Sequence, residues 1–307
     1  MAQLAHGRLS GPTEDRPAAA RSSRRTSRLS QGLTTTFLLV FLVYFLLPLY
    51  WLFVSSTKTN AGLFSSFGLW FSSDFHLWSN LGQLFTYSGS VYLTWLWNSI
   101  YYAVCSSLGA ALLASCAGYV LAKFEFPGRR LIFAVILGSI MIPGTVLAIP
   151  TYLLLAKIGL VNTPLAVILP SLVSPFGVYL MRMYALQAIP DELLEAARMD
   201  GAGEFRIFWS VALRILAPGF VTVLLFTFVS TWNNYFLPLL VLNDSTYYPL
   251  TLGLASWNAQ ASANGGAQVL YTLVLTGALV SILPLVGAFL FLQRYWQGGL
   301  TFGSVKA

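Results

Sequence analysis

Glu195-Ala196-Ala197-Arg198-Met199-Asp200-Gly201 lies within residues 182–218, a segment that holds five of the ten acidic residues in the chain. Its local chemistry reads as a short helix. Pro190 ends what precedes it, Asp191 can cap the exposed backbone donors of a new helix, and Glu192 complements that helix's positive N-terminal end. The helix is predicted to run from Glu192 to about Asp200. Gly201 follows as a stop, because glycine accepts the left-handed conformation that closes helices. Phe205, Phe208, Val211, Ala212 and Ile215 then repeat at helical spacing until Pro218.

Outward from this segment the chain is suited to lipid. Of its 307 residues, 57% are hydrophobic and only 9% charged, with a mean hydropathy of +0.72. A bilayer core of about 30 Å takes about 20 apolar residues per helix. Six uncharged stretches meet that length, at about 34–55, 98–122, 131–156, 163–181, 219–243 and 268–293. The predicted fold class is an all-α integral membrane protein with six transmembrane helices. The first stretch begins more than thirty residues in and has no small-residue cleavage site after it, so it is expected to stay as an anchor. Glycine occurs in nearly every stretch, and Pro48, Pro143, Pro150, Pro170, Pro175, Pro238 and Pro284 interrupt them. Such breaks are tolerated in lipid where neighbouring helices or a cavity satisfy the freed backbone.

Lysine and arginine are retained on the cytoplasmic side. Arg8, Arg16, Arg21, Arg24, Arg25 and Arg28 precede the first stretch, Lys123, Arg129 and Arg130 follow the second, and Arg182, Arg198, Arg206 and Arg214 lie in residues 182–218. Arg294 and Lys306 close the chain, leaving only Lys58 and Lys157 for the opposite side. Both termini are therefore predicted to be cytoplasmic. The net charge of +7 reports this topology, and nucleic acid is not an expected partner. Residues 1–30, rich in Arg, Ser, Ala, Gly and Pro, are predicted to form a disordered cytoplasmic tail ahead of a transmembrane domain over 31–307. Membrane lipid is an expected partner, and the tail's arginines suit anionic headgroups. Trp70, Phe71, Trp78, Trp95 and Trp97 in the long outer connection, residues 56–97, are expected to lie at the membrane interface.

No catalytic chemistry emerges. His6 and His76 lie in the tail and the outer connection, and neither a carboxylate pair nor a Gly-x-Ser-x-Gly motif is present. Cys105 and Cys116 are eleven residues apart, about 16 Å along one helix, too far for a disulfide. They are expected to be buried thiols, and no metal or cofactor site is expected. No Gly-x-x-x-x-Gly-Lys-[Ser/Thr] loop occurs, so energy from ATP would have to come through a partner. None of the six stretches carries an ionisable acid, base or histidine, against proton coupling, while a sodium-coupled secondary transporter stays open. The helix at Glu195 fits two readings from its residues alone. Small Ala196 and Ala197 with a charged Glu195 suit a docking knob, and Ala and Glu are also ordinary helix formers for a surface-lying helix.

Glu195-Ala196-Ala197-x-x-Asp200-Gly201-Ala202, followed by Phe208 and Pro218, resembles the coupling loop of binding-protein-dependent ABC importer permeases. The resemblance extends over nearly the whole chain beyond the tail. It is carried by Ser55-Ser56-Thr57-Lys58, Asn98-Ser99, Phe126-Pro127-Gly128-Arg129, Met141-Ile142-Pro143, Gly159-Leu160-Val161-Asn162-Thr163 and Ile189-Pro190-Asp191-Glu192-Leu193. Trp232-Asn233-Asn234-Tyr235 with Pro238 and the ending Gly299-Leu300-Thr301-x-Gly303-x-Val305-Lys306 complete it. These details are similar to the carbohydrate-uptake group, close to the second membrane subunit of maltose importers. One departure is Leu213-Arg214, where the family usually has Leu-Pro.

The resemblance implies a type I importer permease in a bacterial inner membrane. It implies a second homologous permease subunit, two ATP-binding cassette subunits, an extracytoplasmic sugar-binding protein and a sugar substrate. Glu195, Ala196, Ala197, Asp200 and Gly201 would then be the ATPase-coupling residues. Trp232, Asn233, Asn234 and Tyr235 are candidates for a sugar pathway, since hydroxyls call for amides and aromatic faces. Interhelical hydrogen bonding accounts for the same polar side chains.

Overall fold

Lipid offers no partner to a backbone N–H or C=O, so a spanning segment must close its hydrogen bonds on itself or on a neighbouring element. The computed structural model describes residues 28–263 and 270–300, and these are helical with no strand among them. In chain order the helices are α1 (Arg28–Ser56), α2 (Asn60–Ser65), α3 (Leu77–Lys123), α4 (Arg129–Ile140), α5 (Gly144–Lys157), α6 (Leu165–Ser171) and α7 (Pro175–Ala188). They continue as α8 (Asp191–Met199), α9 (Glu204–Ile207), α10 (Leu213–Ile215), α11 (Ala217–Trp232), α12 (Phe236–Val241), α13 (Leu250–Ala263) and α14 (Leu270–Leu300). The residues expected to form the N-terminal tail, 1–30, fall almost entirely outside the described residues, as does most of the C-terminal motif.

Contacts divide the chain at Pro48. The first unit, described from Arg28, is the N-terminal part of α1. Its side chains from residue 31 onward are all exposed, with Phe37, Phe41 and Phe45 following one another at ring separations of 4.4 and 6.3 Å. A helix apolar all round is built for lipid.

The second unit is organised around α3, which packs against α6, α7, α11, α13 and α14. The reason is legible in its side chains. Ala103, Ser107, Ala110, Ala114, Gly118 and Ala122 recur at three- or four-residue intervals and are all buried, as is Ala111 beside them, a small-residue stripe that lets helices approach closely. At Gly118 a Cβ would stand 2.6 Å from Met181 Cβ and 2.7 Å from the Arg182 backbone nitrogen. At Gly177 it would stand 2.8 Å from Val223 and 3.2 Å from Ala114. Three buried clusters surround this axis. One joins the end of α3 to α7 through α11, one joins its beginning to α13 and α14, and one joins Tyr102 to α5, α6 and α12.

Among the described residues, four helices are long and apolar enough to cross a membrane, and there are up to six spans if each of two bent pairs counts as one. The stretch 131–156 is such a pair: α4 and α5 meet at 107°, with Pro143 just ahead of α5. The stretch 163–181 continues to Ala188 as α6 and α7, which brings Arg182 into a helix. The stretch 219–243 is divided at Asn233-Asn234 between α11 and α12. Residues 98–122 belong to a helix that begins at Leu77 and is interrupted by non-helical Tyr87, Ser88, Gly89 and Ser90. Helix α13, between the fifth and sixth stretches, has no counterpart in the hydropathy reading because Ser256, Asn258, Gln260 and Ser262 dilute it.

Two side-chain expectations are corrected. Trp95 is not interfacial: it is 2% exposed, packs against Trp257 at 4.7 Å and donates from Nε1 to Ser245 O at 2.8 Å. Hydropathy could not reveal this, because Gly253 makes room for the ring from a distant helix. Trp70, Trp78 and Trp97 are exposed. The cysteines are not buried, since Cys105 is half-buried and Cys116 exposed.

Replacing Gly118 with Leu is expected to force α7 away from α3, at a cost of at least about 1–3 kcal/mol for overpacking. The thermal midpoint in detergent should fall sharply. Gly138→Ala, at a position with nothing within 4 Å, should leave that midpoint nearly unchanged.

Candidate functional site

The loop after α7 is positioned from below by α3. Lys123, the last residue of α3, has a side chain only 6% exposed. Its Nζ donates to Ile189 O at 2.6 Å and to Asp191 Oδ1 at 2.7 Å. Asp191 is therefore not the N-cap expected from the sequence. Pro190 occupies that position with no side-chain cap, and the aspartate is used to hold Lys123. Charge counting ties Lys123 to topology alone, and the local signal for this second role is a basic residue ending an apolar helix.

Helix α8 is anchored by one face. Leu194 is 2% exposed and joins a cluster with Tyr119, Ala122, Ile207 and Phe208. Glu195, Ala196 and Asp200 are exposed and Ala197 is half-buried. The exposed face also carries Leu193 and Met199, the latter 89% exposed, neither of which the motif singled out. The helix ends as the sequence predicted. Gly201 has φ +78°, its N–H donates to Arg198 O, and the Ala202 N–H donates to Ala197 O, both at 3.0 Å. These paired bonds satisfy the last carbonyls of the helix, a closure that needs a left-handed residue at Gly201.

Beyond the turn, Arg198 Nε donates to Glu204 Oε1 at 2.7 Å, clasping α8 to α9. The chain continues through a π-helical turn, Phe208–Ala212, in which the Leu213 N–H donates to Phe208 O. Arg214 does not break this second helix. It is exposed within α10, and the 78° bend into α11 falls at Leu216 and Ala217, next to Pro218. Phe205 and Trp209 are exposed there and contact each other at 5.9 Å.

The four residues 232–235 divide in role. Trp232 is 5% exposed and stacks on Phe228 at 5.8 Å, so it belongs to the core. Asn233 is exposed, and its Nδ2 donates to Val229 O at 2.9 Å. Asn234 Oδ1 accepts from the Leu237 N–H at 3.4 Å and its carbonyl accepts from Thr251 Oγ1 at 2.8 Å, so it starts α12. Tyr235 is 41% exposed. Other resemblance motifs sit at junctions as well. Asn162, at φ +60°, accepts from the Asn243 and Asp244 N–H groups at 2.9 Å. Asn98 Nδ2 donates to Thr246 O and Tyr248 O, and Ser99 Oγ accepts from the Leu250 N–H at 2.7 Å. Among the described residues no group of His, Cys, Asp and Glu could hold a metal ion.

Apolar helices, broken spans and a short helix held at the end where Lys123, Arg182 and Arg198 gather define a multi-pass membrane permease subunit. The chain belongs to the family of binding-protein-dependent transport system inner membrane components, which it matches over residues 109–296. It is 37% identical over 227 residues to the arabinooligosaccharides transport system permease protein AraQ of Halalkalibacterium halodurans, covering 74% of this chain and 78% of that protein. It is 30% identical over 298 residues to the diacetylchitobiose uptake system permease protein NgcG of Streptomyces coelicolor, covering 94% and 92%. A chain in the crystal structure of a bacterial ABC transporter involved in importing the acidic polysaccharide alginate overlays with a TM-score of 0.76 at 24% identity. The overlay covers 89% of this chain and 98% of that one, a likeness of fold.

Lys123→Met would keep the apolar stem and leave Ile189 O without its partner, a loss of about 1–3 kcal/mol. Deuterium uptake over residues 189–199 is expected to rise, while the interior of α11 stays protected.

Proposed function

We propose that this subunit forms half of the translocation pathway of an ATP-driven importer and receives the power stroke through α8. Its partners are a second homologous permease, two ATP-binding cassette subunits and an extracytoplasmic sugar-binding protein. The observation that carries the reading is the construction of α8. One face is sunk into the bundle at Leu194, its start is tied to α3 by Lys123, and Glu195, Ala196 and Asp200 are left outward. A short helix fixed at one face transmits a push to α3, α7 and α11 together, because the same buried cluster contains residues of all three. Glu195 offers its carboxylate to a basic group on the ATPase, and small Ala196 lets that surface come close. Both termini and α8 lie in the cytoplasm in this reading, following the distribution of Lys and Arg.

The cargo is a sugar. The names of AraQ and NgcG, which refer to arabinooligosaccharides and diacetylchitobiose, make short oligosaccharides the first class to test. Asn233 and Tyr235, the two exposed members of the 232–235 group, are the positions proposed to meet sugar hydroxyls and ring faces.

Coexpression with the ATPase subunits should yield a stable complex, and a sugar-loaded binding protein should stimulate its ATP hydrolysis in vesicles. Glu195→Lys should lower uptake about tenfold, the scale of losing one charge-assisted hydrogen bond, with the subunit still inserted. Gly201→Val forces a β-branched residue into the left-handed region, at about 1–2 kcal/mol, and should uncouple ATP hydrolysis from uptake. Full uptake by both variants, or sodium-driven uptake by the purified chain alone, would overturn the proposal.

A further inference from the structure

The turn before α4, the first turns of α4 and Arg182 of α7 line an open cavity of about 670 Å³, with Glu125, Gly128, Arg129, Arg130 and Phe133 in its walls. We infer that this cavity binds the phosphate headgroup of an anionic phospholipid, held by Arg129, Arg130 and Arg182. The three guanidinium groups are arranged differently. Arg182 is half-buried, with Nε donating to Leu121 O at 3.2 Å and its guanidinium 3.9 Å above the centre of the Phe133 ring. Arg129 donates from one terminal nitrogen to Phe124 O at 2.9 Å. Arg130 is exposed at the cavity's edge.

These contacts fix the orientation of Arg129 and Arg182 but leave their charge uncompensated. The ion pairs formed among the described residues are Lys123–Asp191 and Arg198–Glu204. Glu125 lines the same cavity without coming within ion-pair distance of the arginines. Two like charges sharing one partly desolvated pocket repel each other, and a bound anion relieves that repulsion. A phosphate offers the acceptor geometry that guanidinium forks match. The N-terminal residues of α4 lie in the lining, so the helix dipole adds to the positive field.

The surroundings commit the occupant to a lipid. Leu131, at the cavity's rim, and Ile132 and Val135, further along α4, are 70%, 47% and 63% exposed. A headgroup in the cavity would lay its acyl chains along that apolar face. Depth agrees, because Arg129 and Arg130 begin a membrane helix and Arg182 lies near the end of another, where headgroups of the inner leaflet sit. The inference needs the chain to span the membrane and is independent of the sugar and of the ATPase contact.

The test reconstitutes the complete complex in vesicles of phosphatidylcholine with a fraction of phosphatidylglycerol, then extracts it gently and measures retained lipid by native mass spectrometry. The unaltered complex should retain phosphatidylglycerol selectively. Arg130→Gln, which alters only an exposed side chain, should lower that retention about fivefold, the scale expected for one arginine at a charged membrane surface. Arg129→Gln combined with Arg182→Gln should abolish it. Displacement of the lipid by millimolar inorganic phosphate would assign the cavity to a free anion and overturn the proposal. So would loss of a protein subunit from Arg130→Gln with lipid retention unchanged, because the cavity would then be a protein contact. Equal retention of phosphatidylcholine and phosphatidylglycerol by the unaltered complex would also overturn it.

Discussion

The close approach of α3 and α7 is the constraint on which the architecture around α8 depends. Lipid gives helices no hydrophobic reason to associate, so their packing relies on dispersion between surfaces that fit. The stripe from Ala103 to Ala122 supplies that surface, and Gly118 brings the backbone of Met181 and Arg182 directly against α3. Everything at this end follows from that contact. It sets Arg182 beside Leu121, Lys123 beneath Ile189, and the start of α8 at a fixed height. A helix of nine residues is too short to be stable alone in water. It exists because Leu194 enters a cluster that the α3–α7 contact has already formed.

At the opposite end, broken helices are held by side chains that replace missing backbone partners. Asn162 accepts two N–H groups after α12, Ser99 accepts the first N–H of α13, and Asn98 and Trp95 donate to the carbonyls of the turn between them. In hydrocarbon each unsatisfied group would cost several kcal/mol. Interruption is therefore confined to places where such side chains are within reach. The short motifs that carried the family resemblance are largely these junction residues, which explains why they look unlike the apolar sequence between them.

Class and local shape were legible early. Uncharged length identifies a membrane protein, and Gly201 is legible as a left-handed helix stop because that requirement is local to one residue. The family followed from the motif and from similarity over most of the chain. Angles were not legible. Hydropathy counts apolar residues in a row and is blind to direction, so 131–156 read as one span although Pro143 turns it through 107°. Burial is not legible for Trp95 either, which is apolar enough for an interface but sits in a recess made by Gly253.

The sequence by itself determined that the chain is a helical membrane protein, which end of it is basic, and where α8 stops, since composition, charge and backbone conformation depend on neighbouring residues alone. Tertiary structure decided that Asp191 serves Lys123 rather than its own helix, that Trp232 belongs to the core, and that Arg129, Arg130 and Arg182 share one cavity. Each of those facts joins residues from separate elements. Their distances are set by how helices pack, and no one-dimensional pattern records them.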